Sequence, residues 1–154
     1  MATWLCFRAQ PNEEKIYLNL QNMMDIAERI GGKDNGFKFI QVPIGVMMPE
    51  ALVENWQHFV HNKGVADEEQ QMKPLVSVCN LLRMNIMVSK PVLEGGVRDT
   101  KIETIKNIED PVAKHLQLVR SMPPRCIIST MCGMKSIENL KKNFEVIKNE
   151  PLSK

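Results

Sequence analysis

The chain has 154 residues, enough for one domain with its own core but too few for a complete (β/α)8 barrel, which takes roughly 250. Apolar residues make up 44% and charged residues 25%, an ordinary globular balance. Lys and Arg number 20 against 18 acidic residues, a net charge of +2, which leaves no basic footprint for nucleic acid or an anionic membrane surface.

No run approaches the about 18 apolar residues of a spanning helix, so no membrane partner is expected. The first residues, Met1 to Arg8, meet charge too early for the apolar region of a signal peptide. A cytoplasmic protein is therefore expected. Cys6, Cys79, Cys126 and Cys132 are scattered, without a C-x-x-C pair, and read as buried free thiols in a reducing compartment. With 11 Met and only eight aromatics, the core must rely on thioethers and aliphatics.

In chain order, the spacing of Leu20, Met23, Met24, Ala27 and Ile30 predicts a helix from about Tyr17 to Gly32, with Asn19 as a plausible N-cap and Gly31-Gly32 as its stop. Phe37 to Val42 is a short β-rich run ended by Pro43, a first strand. Pro49 opens a second helix, with Leu52, Trp56, Phe59 and Val60 on its apolar face and Lys63-Gly64 at its end. A third helical pattern runs from about Asp67 to Arg83, kinked at Pro74 or beginning nearer to it.

Asn85 to Ser89 reads as a second strand, and Lys90 to Ile108 as a long loop. Asp110-Pro111 is a strong helix start, followed by an apolar face of Val112, Leu116 and Val119. Cys126 to Thr130 is a third strand. Ser136 caps a last helix, with Leu140, Phe144 and Ile147 facing inward. Strands alternating with helices argue an α/β fold with a parallel sheet.

The generic chemical motifs are missing. There is no G-x-G-x-x-G, no P-loop and no G-x-S-x-G. His58 and His61, three apart on the expected helix, have metal-compatible spacing but no companion ligands, and a zinc site needs three or four. His115 reads as a surface residue.

The informative residues are at the carboxyl ends of the strands, where parallel α/β proteins bind ligands. Gln41 is a polar side chain inside an apolar run, and it needs a partner; a ligand amide would serve, and so would neighbouring backbone. Met131 to Ser136 leads directly into a helix, whose free N–H groups and positive dipole end, with Lys135 beside them, suit a phosphate. An ordinary capped helix with a solvated Lys135 is the other reading.

Those segments carry a resemblance. Gly133-Met-Lys-Ser-Ile-Glu-Asn-Leu-Lys-Lys-Asn143 resembles the last βα unit of the aldo-keto reductases, roughly G-x-x-S/N-x-E-x-L-x-E-N, which grips the 2′-phosphate and adenine of NADPH. Phe39-Ile-Gln-Val-Pro43 is similar to that family's sixth strand, whose Gln holds the nicotinamide carboxamide. Asn85 to Gly95 resembles its seventh strand and the loop that carries the pyrophosphate. Ala2-Thr3-Trp4 resembles the end of its fifth strand. The matches run in order over nearly the whole chain.

The resemblance implies the C-terminal half of a (β/α)8 TIM barrel, about three to four βα units spanning residues 1–154, from the end of the fifth strand to the eighth helix. It implies NADP(H) as cofactor, bound through Gln41, Ser89, Leu93, Gly133, Lys135, Asn139 and Asn143. The implied activity is carbonyl reduction by hydride transfer. The family's catalytic Asp, Tyr, Lys and His fall on its first four units and have no counterpart here, so the chain alone is expected to be inactive. Three cofactor contacts also differ: Ala2-Thr3 replace Ser-Asn, Val88 replaces an aromatic, and Lys142 replaces Glu.

An open half-barrel leaves strand edges unpaired, which implies a second copy or a complementing N-terminal half as partner, with a small carbonyl compound as substrate of the complete assembly. The alternative is a non-catalytic half-barrel that keeps the cofactor pocket and serves as a regulatory or interaction subunit.

Overall fold

The computed structural model describes residues 6–64, 69–93, 96–122 and 125–152. The expected strand end at Ala2-Thr3-Trp4 lies outside them. No helix among the described residues is long and apolar enough to cross a membrane.

Helix α1 (Leu20–Gly31) begins where the sequence signals it: the Asn19 side chain accepts the Asn22 N–H, and Gly32, at φ 71°, ends the helix in a conformation that glycine adopts freely. Only the near side of the expected face is buried. Leu20 and Met24 are in the core, whereas Ile30 points outward.

Strand β1 (Phe39–Pro43) follows, then a single helical turn, α2 (Glu50–Val53). The second expected helix does not continue past it. Gln57–His61 is strand β2, and Glu69–Lys73 is β3, its antiparallel partner, with His58 opposite Met72 and Val60 opposite Gln70. The Glu-Gln-Gln-Met-Lys run is made of good helix formers, but pairing with β2 overrides that local preference. Pro74 then adopts an extended conformation (φ −62°, ψ 148°), and helix α3 (Leu75–Leu81) starts immediately after it. The proline is thus a helix start, not a kink.

The rest of the chain follows the expected order: β4 (Asn85–Ser89), α4 (Pro111–Arg120), β5 (Ile127–Thr130) and α5 (Ile137–Ile147). The Asp110 side chain caps α4 by accepting the Ala113 N–H at 2.9 Å, and Ser136 Oγ caps α5 by accepting the Asn139 N–H at 3.1 Å.

The three parallel strands form one sheet in the order β1-β4-β5, with Val42 opposite Val88 and Val88 opposite Thr130. Ile40, Val42, Ile86 and Val88 turn the same way and meet Leu20, Met24, Val76, Val78 and Cys79 in one core, as the period of two requires.

The architecture corrects the expected barrel half. The described residues form a small α/β domain with a three-stranded parallel sheet and a separate two-stranded antiparallel sheet. A barrel wall requires successive parallel strands with matched tilt and stagger, and here an antiparallel hairpin takes up the segment between β1 and β4. Two packing expectations are also corrected. His115 is fully buried, not on the surface. Leu140, Phe144 and Ile147 do not face inward: they are 37%, 55% and 57% exposed, and Val146 is the buried residue of α5.

Candidate binding cleft at the ends of β4 and β5

A cleft of about 910 Å3 opens beyond the carboxyl ends of β4 and β5. One wall is Lys90-Pro91-Val92, directly after β4, with Arg98 from the loop that follows. The floor is the start of α4, Asp110 to Ala113. The opposite wall is the β5–α5 connection and the first turns of α5, with Met131, Cys132, Gly133, Lys135, Asn139, Lys142 and Asn143.

The lining is strongly cationic. Among the described residues, Lys90, Arg98, Lys135 and Lys142 stand against one acid, Asp110. Asp110 caps α4, and Lys142 also reaches Glu138 at 3.1 Å on its own helix. The starts of α4 and α5 both border the cavity, so two helix dipoles add positive potential to the side-chain charges. Such a cavity favours an anionic ligand, phosphate above all.

The sequence-derived site residues divide into groups. Gly133, Lys135, Asn139 and Asn143 come together in this cleft. Ser89 is buried at the last position of β4, opposite Pro43 of β1, and Leu93 follows Val92 in the chain, outside the lining. These two flank the lining segment. Gln41 does not join it: the residue is half-buried on β1, in register with Met87, and β4 separates it from β5.

The backbone after β4 is unusual. Lys90 and Leu93 have φ of 50° and 45°, the left-handed region that costs a non-glycine residue roughly 1–2 kcal/mol. The loop after β1 lies close against this turn. A Cβ at Gly45 would lie 3.2 Å from the Pro91 carbonyl oxygen, so glycine allows the two strand-end loops to touch.

Sequence reasoning placed Lys90 at the ligand-binding end of a strand without giving it a binding role, and it missed Arg98 and Lys142. Lys90 had a usable signal, a cation at the first position after a strand. Arg98 had none, because its loop has no period to fix its direction. Lys142 had helical spacing from Lys135 and Asn139, but stood where the resembled family has an acid.

Beside the cleft, an apolar groove of about 430 Å3 runs between β5 and α5, past Ile127, Ile128, Phe144 and Ile147. Cys132 and Asn143 border both cavities, and partial burial pushes the Cys132 thiol above its ordinary range.

The two histidines read as metal-compatible lie on β2, not on a helix. Residues three apart on a strand point to opposite faces. His58 Nε2 meets Gln70 Oε1 at 3.2 Å across the hairpin, and the His61 ring packs edge-on against Phe59. Among the described residues no group of three or more His, Cys, Asp or Glu side chains is placed to hold a metal. Tyr17 has a structural role: its hydroxyl donates to the Trp56 carbonyl at 2.8 Å.

No family model, no curated protein and no solved structure matches this chain.

Proposed function

We propose that the cleft at the ends of β4 and β5 binds a phosphate-bearing dinucleotide, NADP(H), and that the chain is the cofactor-binding part of an aldo-keto reductase-like protein that reduces carbonyl compounds in a reducing, cytoplasmic setting. One observation carries the reading. Gly133, Lys135, Asn139 and Asn143, chosen from sequence for their resemblance to a 2′-phosphate and adenine motif, line one cavity with Lys90, Arg98 and Lys142. The volume suits a cofactor, since small-molecule sites run about 300–1,000 Å3.

The chemistry assigned to each residue follows from its position. Lys135, beside the start of α5, supplies charge for a terminal phosphate, and Arg98 and Lys90 reach a bridging pyrophosphate from the other wall. The side-chain amides of Asn139 and Asn143 provide directional hydrogen bonds for a base or ribose.

The second reading is a binding subunit without hydride chemistry. The engagement of Tyr17, the sole tyrosine, with the Trp56 carbonyl favours it, because no tyrosine is left as a proton donor beside the cleft.

Titration of the purified chain with NADPH, followed by its fluorescence, tests the proposal. Binding is expected, weakening steeply with salt as screening of a multi-cation site requires. Lys135→Ala should weaken NADPH more than NADH, and equal loss for both would contradict a 2′-phosphate role. Addition of an aldehyde to the complex should leave the reduced-nicotinamide absorbance unchanged; turnover would eliminate the non-catalytic reading, and absence of NADPH binding would sink the cofactor assignment.

A further inference from the structure

The apolar groove between β5 and α5 starts where the cationic cleft ends. Its lining follows β5 from Ile127 to Thr130 and α5 from Asn143 to Ile147. Arg120, the last residue of α4, donates to the Ile147 and Asn149 carbonyls at 3.4 and 2.6 Å. That contact sets the end of α5 beside the chain that enters β5. Ile127, Ile147 and Arg120 therefore mark the far end of the groove. Thr130, Cys132 and Asn143 mark the near end, and Cys132 and Asn143, both half-buried, border the cleft as well.

The two cavities differ in chemistry. Ile128, Phe144 and Ile147 are each more than half exposed along the groove, and among the described residues no acid lines it. Across the border, Lys135, Asn139 and Lys142 line the cleft. Asn139 and Asn143, four apart, share one face of α5, so a ligand seated against that face of the helix touches both cavities.

We propose that cleft and groove together hold one amphiphile, a phosphate monoester with a medium-length alkyl chain, its phosphate in the cleft and its chain in the groove.

Charge and shape both select this occupant. The phosphate meets Lys135 and Lys142 beside the start of α5, and the chain covers apolar side chains that otherwise face water. The four residues of β5 extend about 13 Å. A groove of about 430 Å3 over that length has a cross-section of roughly 33 Å2, less than half that of a peptide helix 10–12 Å across. It admits a hydrocarbon chain and excludes a helix. The phosphate end uses the same cationic cleft as the dinucleotide reading, whereas the chain end depends on the groove alone.

The test titrates the full chain with methyl, butyl and octyl phosphate and with 1-octanol, all as free monomers, followed by amide NMR shifts, which read weak and tight binding alike. Affinity is expected to rise with chain length, octyl phosphate binding at least about tenfold tighter than methyl phosphate, since each methylene taken out of water contributes. Octanol should bind more weakly than octyl phosphate. Shifts at residues 127–130 and 144–147 should grow with the longer chains. Ile128→Thr and Phe144→Gln should flatten the dependence on chain length and leave methyl phosphate unchanged, while Lys135→Ala should weaken all three esters. Equal affinity for methyl and octyl phosphate, octanol binding as tightly as octyl phosphate, or binding only to vesicles of phosphatidic acid would overturn the proposal. The chain-length series on the unsubstituted protein decides this by itself if a variant does not fold. The cofactor reading fails separately: NADPH that does not bind beside a rising ester series removes that reading alone, and NADPH that binds beside a flat series removes this one.

Discussion

The side chain of Gln21 acts as a strand partner for Val60: its Nε2 donates to the Val60 carbonyl at 2.9 Å, and its Oε1 accepts the Val60 N–H at 2.8 Å. One amide thus satisfies both backbone groups of a residue on the outer side of β2. Two residues earlier in each segment the chain extends the same join, with Asn19 Nδ2 donating to the His58 carbonyl at 2.6 Å. Gln57 completes it by accepting the Leu20 N–H at 2.9 Å and donating to the Leu18 carbonyl at 3.1 Å. Side-chain amides therefore attach the β2–β3 hairpin to α1 and cover an edge that would otherwise be open to pairing.

Removing that amide should expose its value. Gln21→Leu keeps the bulk but leaves the Val60 N–H and C=O without this partner, a loss of about 1–3 kcal/mol for poorly satisfied buried groups. Urea unfolding is expected to show a lower midpoint with an unchanged slope. A midpoint equal to that of the parent would mean that water replaces the amide at no cost.

Arg8 and Glu50 predict an acid-sensitive loss of stability. The Arg8 Nε and Nη2 donate to the two carboxylate oxygens of Glu50 at 3.2 and 2.6 Å. Partial burial alone would raise the Glu50 pKa, but the Arg8 hydrogen bond and charge, with a backbone N–H, outweigh it and hold the carboxyl below its ordinary value. A lowered folded-state pKa means that the unfolded chain binds the proton more tightly. The stabilisation is thus complete above the ordinary carboxylate range and is lost as pH falls through the folded value. Arg8→Gln should reduce stability at neutral pH by up to about 1 kcal/mol and flatten the acid limb of a stability–pH curve. An acid limb identical to the parent's would assign it to other carboxylates.

Gly45 should tolerate no side chain without a local shift, because a Cβ there would crowd the Pro91 carbonyl at 3.2 Å. Gly45→Val is expected to cost about 1–3 kcal/mol, the range for overpacking at a tight contact. If the cleft binds NADPH as proposed, the substitution should also weaken that binding by moving the Lys90–Val92 wall. Gly133→Ala is the control: nothing among the described residues lies within 4 Å of its added Cβ, so stability should stay within about 0.5 kcal/mol of the parent. Equal costs at the two glycines would remove the loop-to-loop contact as the explanation.

The parts of the fold legible in sequence are those with a local cause. Asn19, Asp110 and Ser136 cap helices as their residue types predict, and the apolar runs 37–42, 85–89 and 126–130 overlap the three parallel strands. The hairpin was hidden because β3 has no local signal: Glu69 to Lys73 is polar and helix-prone, and it becomes a strand only against β2. The buried His115 was hidden for a similar reason. Its Nδ1 meets the Pro111 carbonyl at 2.7 Å, a contact inside its own helix that no pattern of apolar residues reveals. In the cleft, the contiguous Gly133–Asn143 motif was legible, whereas Arg98 depended on how an aperiodic loop folds back.

His115 also allows a direct test. The Pro111 carbonyl accepts, so Nδ1 carries the proton, and Nε2 is a buried acceptor with no partner among the described residues. His115→Phe preserves much of the volume and removes that acceptor, so it should be neutral or stabilising by up to about 1 kcal/mol. A loss of several kcal/mol in thermal or urea unfolding would show that the imidazole makes an essential polar contact.

The rotation of α5 is the departure from sequence pattern with the clearest energetic consequence. The spacing of Leu140, Phe144 and Ile147 points that row toward the core, yet Val146 is 4% exposed and Phe144 is 55% exposed. The helix packs mainly on α4, and the groove beside β5 stays open along the apolar row. The order of mutational costs should follow burial and not side-chain size. Val146→Ala removes buried methyl groups and should cost about 1–3 kcal/mol, while Phe144→Ala, already half in water, should cost less. If α5 instead turned its apolar row onto the sheet, Phe144→Ala would be the more damaging, by about 3–5 kcal/mol. Paired urea titrations of the two variants distinguish the orientations, since the two substitutions change places in rank.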